Sequence, residues 1–373
     1  VSLQIIGINA SRTRSGGGLV HLKKILENYS FDINQFSEIH IWGHVDILDL
    51  IPENPLFIKH IAFDSKIGIV YQIFWENFIL SRELNKFHCK LLINLDAGSV
   101  CRFLPNITMS RDMLSYEKGV LKKYFFSMSW LRLIALKYVQ IWSLKKASKA
   151  VFLTNYARSV IEMEAKTSFN SLLIPHGIDL FDFSRYEKLT FFSDNFYDVV
   201  YVSNFDFYKN QDTVINAFHI LLRKYPNLRL HLVGSFSNYS YYSKCKNLAN
   251  NDIRIIFHGP IDQSEIQNFL SNSDILLFAS SCENMPNTLL EYMTVKKPIL
   301  CSNRGPMPEV IGNWEYLFDP EDVTSIVSTM EKVISNKNTW NELADLSFQR
   351  VQKYSWKRSS DELFNLATNI LKI

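Results

Sequence analysis

Between residues 197 and 303 short apolar runs alternate with helical segments, and few folds accept that order. YDVVYVSNF (197–205), RLHLVGS (229–235), IRIIFHGP (253–260), ILLFASS (275–281) and PILCSN (298–303) are largely apolar runs that end on small or turn-forming residues. NQDTVINAFHILLRKY (210–225), SYYSKCKNLAN (240–250), SEIQNFLSNS (264–273) and NTLLEYMTVKK (287–297) lie between them and carry helical spacing. Short strands apolar on both faces, each followed by a helix, predict β-α-β units and a parallel sheet.

The first half repeats the theme less regularly. LQIIGINA (3–10), EIHIWGH (38–44), LFIKHIAF (56–63), KLLINLD (90–96), ITMS (107–110), AVFLTN (150–155) and SLLIPHGI (171–178) read as strands. Helices are expected over 18–29, 69–87, 120–148 and 156–165. A chain of 373 residues is too long for one ordinary core. The division reads 1–180 for a first doubly wound domain, 181–196 for a linker and 197–355 for a second. WKRSSDELFNLATNILKI (356–373) is expected to form a last amphipathic helix that packs back on the first domain. Two such domains facing each other would form a cleft, with ligands outside the carboxyl ends of the strands.

Composition narrows the class. The chain is 47% hydrophobic and 21% charged, which suits a folded protein and excludes disorder. Cys89, Cys101, Cys245, Cys282 and Cys301 show neither zinc spacing nor a disulfide framework, so a reducing, cytoplasmic compartment is expected. VSLQIIGINASRTR reads as a first strand and not as a signal peptide. Uncharged apolar runs of about 18 residues are missing, so no spanning helix is expected.

Charge is uneven. Residues 1–180 carry 21 Lys and Arg against 15 Asp and Glu, and the remainder carries 19 against 22. KGVLKKYFFSMSWLRLIALKYVQIWSLKKASK (118–149) has eight basic residues, no acidic one, and Phe125, Phe126, Trp130 and Trp142 among them. Such a segment can rest on an anionic membrane surface. The plainer reading, favoured by its mostly apolar composition, is a helix half buried against its own sheet with a solvated basic edge. No nucleic-acid partner is expected.

Several residues could carry chemistry. SGGG (15–18) joins a strand to a helix and could turn backbone N–H groups toward an anion, although a plain flexible turn explains it as well. Lys209 precedes Asn210, a plausible N-cap, so a cation lies beside a positive helix end unless an anion binds between them. SCENMPNTLLEY (281–292) places Glu283 at the end of a strand and Glu291 in the next helix. Thr288 and Glu291 have the spacing of a capping box, which needs no ligand. Glu283 has no such local explanation and could accept sugar hydroxyls. The helix start near Asn287 and Thr288 offers N–H groups to an anion.

Together these stretches resemble a family. E-N-M-P-N-T-L-L-E, VVYVSNFDFYKNQDTVINAF (199–218), LHLVGS (230–235), RIIFHGPI (254–261), PILCSNRGPMPEVIG (298–312) and YSWKRSSDEL (354–363) are similar to family 4 glycosyltransferases of bacterial surface-polysaccharide type. In the first half the likeness rests mainly on SGGG, LTN (153–155) and PHGID (175–179). The resemblance implies an α/β chain of two Rossmann-like doubly wound domains facing across a cleft, the GT-B fold. It implies retaining transfer from a nucleotide diphosphate-sugar, without a cofactor or a required metal. It gives Glu283 the donor sugar hydroxyls, Glu291 the ribose, Lys209 the diphosphate, and Gly16 and Gly17 the same phosphates. Asn204, Gly234, Asn284, Met285, Pro286 and Asn287 complete the expected donor site. Two departures stand out. The family's Gly-Arg at a strand end is Ser203-Asn204 here, and MSRDMLSYE puts Arg111 and Asp112 where a histidine is usual. Arg111 could hold phosphate and Asp112 could face a sugar, or the two could form a structural ion pair. His176 is assigned to an interdomain loop and His21 to hydrogen-bonded packing.

The resulting expectation is an enzyme that extends a saccharide, with a polyprenyl diphosphate-linked acceptor at the inner face of the cell membrane. The rivals are a sugar-nucleotide epimerase of the same fold and a degenerate, non-catalytic sugar-nucleotide-binding scaffold.

Overall fold

The structure, a computed structural model, describes residues 4–14, 16–31, 36–64, 68–189, 192, 195–236, 238–312 and 315–372. The chain divides into two compact units. One comprises Val1–Gly177 with Tyr354–Ile373, the other Ile178–Lys353.

The first unit is built on a seven-stranded parallel sheet. Its strands are β1 (Gln4–Asn9), β2 (Phe36–Gly43), β3 (Phe57–Ile61), β4 (Leu91–Asn94), β5 (Asn106–Ser110), β6 (Lys149–Phe152) and β7 (Ser171–Leu173), in the order β3-β2-β1-β4-β5-β6-β7. Ile6, Ile8, Leu91, Ile93, Ile107 and Val151 are fully buried, as both-faces-covered strands require. The helix Trp356–Leu371 packs on the helix Gly17–Glu27, where the Ser360 hydroxyl donates to Ile25 O at 2.7 Å and Phe364 meets Tyr29 edge-on at 4.7 Å. Its return runs against Gly177: a Cβ there would lie 2.0 Å from Trp356 N, so only glycine lets the backbones pass.

The second unit holds β8 (Tyr197–Val202), β9 (Leu228–Val233), β10 (Ile255–Gly259), β11 (Ile275–Phe278), β12 (Ile299–Ser302) and β13 (Leu317–Phe318). They form a parallel sheet in the order β10-β9-β8-β11-β12-β13. In each sheet the order of strand addition therefore reverses once, between β1 and β4 and between β8 and β11. At such a switch point the loops leave adjacent strands on opposite sides and open a crevice at the carboxyl ends. Both units thus have the expected doubly wound α/β form.

Two helices differ from expectation. The run 69–87 is interrupted by a π-helical turn, Trp75–Ile79, between Ile69–Phe74 and Leu80–Lys86. That turn carries Glu76, fully buried, whose carboxylate accepts from Arg12 Nε and Nη2 at 2.7 and 2.9 Å and from Val100 N at 3.1 Å. The run 120–148 is two helices, Lys118–Lys123 and Met128–Lys146, broken at Phe126 with φ of 58°. The second of these packs only a narrow face: it buries Leu133, Gln140, Ser143 and Leu144 and exposes Met128, Leu131, Tyr138 and Trp142.

Candidate active site

In the second unit the loops after β8 and β11 meet. Asn210 is held in the left-handed region at φ 53°, which asparagine tolerates better than most residues. It stands at the N-cap of the helix Gln211–Lys224, yet its side chain does not cap that helix. Instead Nδ2 donates to Ala279 O at 2.8 Å and to Ser281 Oγ at 2.6 Å. The Ser281 N–H donates back to Tyr208 O at 2.7 Å, and the Tyr201 hydroxyl donates to Lys209 O at 2.6 Å. The two loops are thereby fixed backbone to backbone, and Lys209 pairs with Glu283 across them.

This pair answers the electrostatic conflict at Lys209. The anion beside the positive helix end is the Glu283 carboxylate. The ammonium also stands 4.9 Å from the Tyr208 ring centroid, an attractive cation–π placement. Lys209 and Glu283 keep 14% and 17% of their side-chain surface exposed, so both charges are shielded from water yet reachable.

The stretch after Glu283 turns inward: Asn284, Met285 and Pro286 are buried. The next helix is Asn287–Thr294 with Pro286 at its N-cap, which places Thr288 and Glu291 inside it. The capping-box reading is therefore corrected, because Thr288 lies past the cap and Glu291 more than a turn beyond the helix start. Tyr292, fully buried, locks this helix to the switch point: its hydroxyl accepts from Val202 N at 2.7 Å and donates to Leu277 O at 3.2 Å. Asn204 is exposed; its carbonyl accepts from Gln211 Nε2 at 3.0 Å and its Oδ1 from the Ser235 hydroxyl at 2.8 Å. Gly234 has φ of 145°, and a Cβ there would lie 2.1 Å from Ser203 O.

In the first unit the glycine-rich turn and Arg111 come together. Gly16 forms the N-cap of Gly17–Glu27, and Arg111 Nη1 donates to Gly18 O at 3.2 Å. A Cβ on Gly18 would press to 3.1 Å from Arg111 Nη2. Asp112 points elsewhere: it accepts from Leu114 N at 2.9 Å and from Gln140 Nε2 at 3.5 Å. The ion-pair alternative for Arg111 and Asp112 therefore does not hold. Burial pushes the Asp112 carboxyl up and the Arg111 guanidinium down, the latter opposed by Asp96.

His21 is a correction too. It is fully buried, but among the described residues neither ring nitrogen has a hydrogen-bond partner. Its ring stacks on His176 at 4.6 Å. Burial, then the charges of His176 and Arg111, hold its pKa well below the usual 6.5. Burial likewise lowers His60 and His258 to about 4. The unfolded chain then binds protons that the folded one refuses, so stability should fall as pH drops below about 6.5, by at most ~1.4 kcal/mol per pH unit per histidine. Asp112 and Asp274, raised by burial, act in the opposite sense. Thermal melts from pH 7 to 5 check this: Tm should drop, and His258→Phe should flatten the curve.

Sequence patterns did not reveal Asn210, Ser281 and Tyr292 as the ties of the site. Nor did they reveal the buried polar chain of the first unit, in which Asn9 Nδ2 donates to Asn94 Oδ1 and Ser99 Oγ, each at 3.2 Å. Asn9 and Asn94 end adjacent strands, a clue visible only once β1 and β4 are known to be neighbours.

Two such units, each doubly wound, give a GT-B-like fold, which the solved structures below share. Residues 183–348 match the family model of glycosyl transferases group 1, within the second unit. The chain is similar to the protein CapJ of Staphylococcus aureus, 25% identical over 212 residues, which are 55% of this chain and 51% of that protein. It is similar to the serotype-specific mannosyltransferase WbdA of Escherichia coli, 24% identical over 168 residues, 44% of this chain and 21% of that one. The chain thus spans about half the length of the first of these curated relatives and about a fifth of the second. Among solved structures, sucrose-phosphate synthase from Thermosynechococcus elongatus superposes with a TM-score of 0.76 at 16% identity, covering 99% of both chains. Anabaena Alr3699/HepE in complex with UDP-glucose gives 0.75 at 14%, covering 99% of this chain and all of that one.

Proposed function

We propose that this protein is a family 4 glycosyltransferase that moves a sugar, with retention, from a nucleotide diphosphate donor to a growing cell-surface saccharide. The observation that carries the reading is the Lys209–Glu283 pair on the two loops that flank the β8/β11 switch point. A sugar diphosphate needs a cation for its phosphates and an acceptor for its hydroxyls, side by side. The pair supplies both. When phosphates share Lys209, the Glu283 oxygens are released to accept sugar hydroxyls.

In the transfer, the bond between the anomeric carbon and the diphosphate breaks. The acceptor oxygen bonds to that carbon, and its proton leaves with the diphosphate. Charge grows on the departing phosphate, where Lys209 and the positive end of the helix Asn287–Thr294 stabilise it. Glu291 is assigned to the ribose, and Gly16, Gly17 and Arg111 to phosphate. Asp112, whose carboxyl accepts from Leu114 N and Gln140 Nε2, is assigned to a sugar hydroxyl. The charge stabilisation comes from Lys209 and the helix end, so the reading includes no required metal, and chelation with EDTA should leave transfer unchanged. The acceptor is read as a polyprenyl diphosphate-linked saccharide at the inner face of the cell membrane.

Thermal shift with UDP, GDP, ADP and CDP and their common sugars tests the donor half. The similar structure that holds UDP-glucose makes UDP the first nucleotide to try. Ligand at about 100 times its Kd adds roughly 2.7 kcal/mol, visible as a rise of a few degrees. The shift should appear with one base and shrink in Lys209→Ala and Glu291→Ala. No shift with any nucleotide would overturn the donor assignment.

A further inference from the structure

The first unit leaves a large apolar surface uncovered, and it is basic at its margins. In the helix Met128–Lys146, Met128, Leu131, Tyr138 and Trp142 recur at intervals of three, seven and four and so share one face. Met128 is 81% and Tyr138 69% exposed. The neighbouring element Ile69–Ile79 adds Ile69, Val70, Ile73, Phe74 and Phe78, with Val70 at 79%. The two meet at a groove of about 400 Å³ whose walls include Ile73, Val100, Tyr138 and Trp142, with Arg102 at its edge. Ahead of the longer helix, Phe126 stands 88% exposed in the left-handed region, an unusual conformation for a bulky residue. It leans on Phe125, whose ring in turn contacts Trp130.

Water-soluble surfaces rarely carry a contiguous apolar patch of this kind without a partner. The charges select that partner. Lys122, Lys123, Arg132, Lys145, Lys146 and Arg102 are exposed around the patch, and no acid lies between residues 118 and 149. Glu76, the acid of the second element, turns inward to Arg12. A second copy of this chain would bring the same cations face to face. A bilayer with anionic headgroups would meet them with opposite charge and take up the apolar side chains below.

We infer that the face formed by Ile69–Ile79 and Phe125–Trp142 docks on an anionic lipid bilayer, with Val70, Phe126 and Met128 inserted at the headgroup boundary. Among the described residues no helix is long and apolar enough to cross a membrane, so this attachment is to the surface. The inference rests on the membrane-linked acceptor for its purpose. Its test does not, because it needs neither donor nor acceptor.

Flotation of the full chain with phosphatidylglycerol-containing vesicles and with pure phosphatidylcholine vesicles decides it. The wild type should float with the anionic vesicles alone, and less so at high salt. Val70→Ser/Phe126→Ser/Met128→Ser should lower the bound fraction at least about tenfold with Tm unchanged, since all three side chains are exposed. Lys122→Glu/Lys123→Glu/Lys145→Glu/Lys146→Glu should abolish flotation. Absence of wild-type binding, or binding that survives the serine variant, overturns the proposal. So does a concentration-dependent dimer that the serine variant dissolves, which would give the face to a second copy. The nucleotide thermal shift of the same serine variant separates this outcome from failure of the donor reading.

Discussion

Lys209→Ala is expected to lower sugar transfer by a factor of about 10² to 10³, the usual loss when one preorganised charge is removed from a developing anion. Glu283→Ala should lower it about ten- to a hundredfold, the worth of one or two hydrogen bonds to a charged group. Stability should behave differently. The two side chains are paired and largely shielded, so each single variant leaves an uncompensated charge behind. In Lys209→Ala that charge is the Glu283 carboxylate. In Glu283→Ala it is an ammonium beside the positive end of the helix Gln211–Lys224. The double variant removes both charges and should melt above the less stable of the two single variants, while its transfer rate stays at or below the lower of theirs. That split is the informative result. A pair that serves only the fold would recover rate and Tm together, and then the site assignment would fall. The measurement is an initial-rate assay beside a thermal melt for all four proteins.

Gly234→Ala should destabilise the second unit by about 3 to 4 kcal/mol, or roughly a 10 °C fall in Tm. The residue follows β9 and donates its N–H to Gly259 O at 2.8 Å, so its backbone is held in place. A methyl group there would lie 2.1 Å from Ser203 O and 3.0 Å from Asn204 N, both of them backbone atoms that cannot rotate away. With φ at 145° the alanine is strained even before the collision. The carboxyl ends of β8 and β9 would have to part, which moves the loop that carries Lys209. Gly119→Ala is the control. Gly119 lies in a helix with nothing within 4 Å of its would-be Cβ, so that change should leave Tm the same or slightly higher. Equal losses from both would show that the close approach at Gly234 does not constrain the fold.

Periodicity is a local property, and what it governs was legible in the chain. Strands such as β8, β9 and β11 are buried on both faces, and that demand appears as continuous runs like DVVYV and ILLF. The helices between them show an apolar stripe, so both doubly wound sheets could be expected without any structure. The stretch from Glu283 to Glu291 was visible too, because a carboxylate placed directly after a buried strand has no local partner.

What the sequence could not contain is which distant groups share a hydrogen bond. Glu283 lies 74 residues from Lys209, and only the adjacency of β8 and β11 brings them together. Asn210 looked like a helix cap. Tertiary structure recruited its amide to Ala279 and Ser281, since a buried amide takes the nearest unpaired acceptors. Thr288 and Glu291 had the spacing of a cap, but the cap position lies two residues earlier, at Pro286, and the helix begins at Asn287. The basic aromatic segment was open to two readings because helical spacing states which residues share a face and not whether anything covers it. Only the packed fold decides that, and here it turns Leu133 and Leu144 inward and leaves Leu131, Tyr138 and Trp142 to solvent.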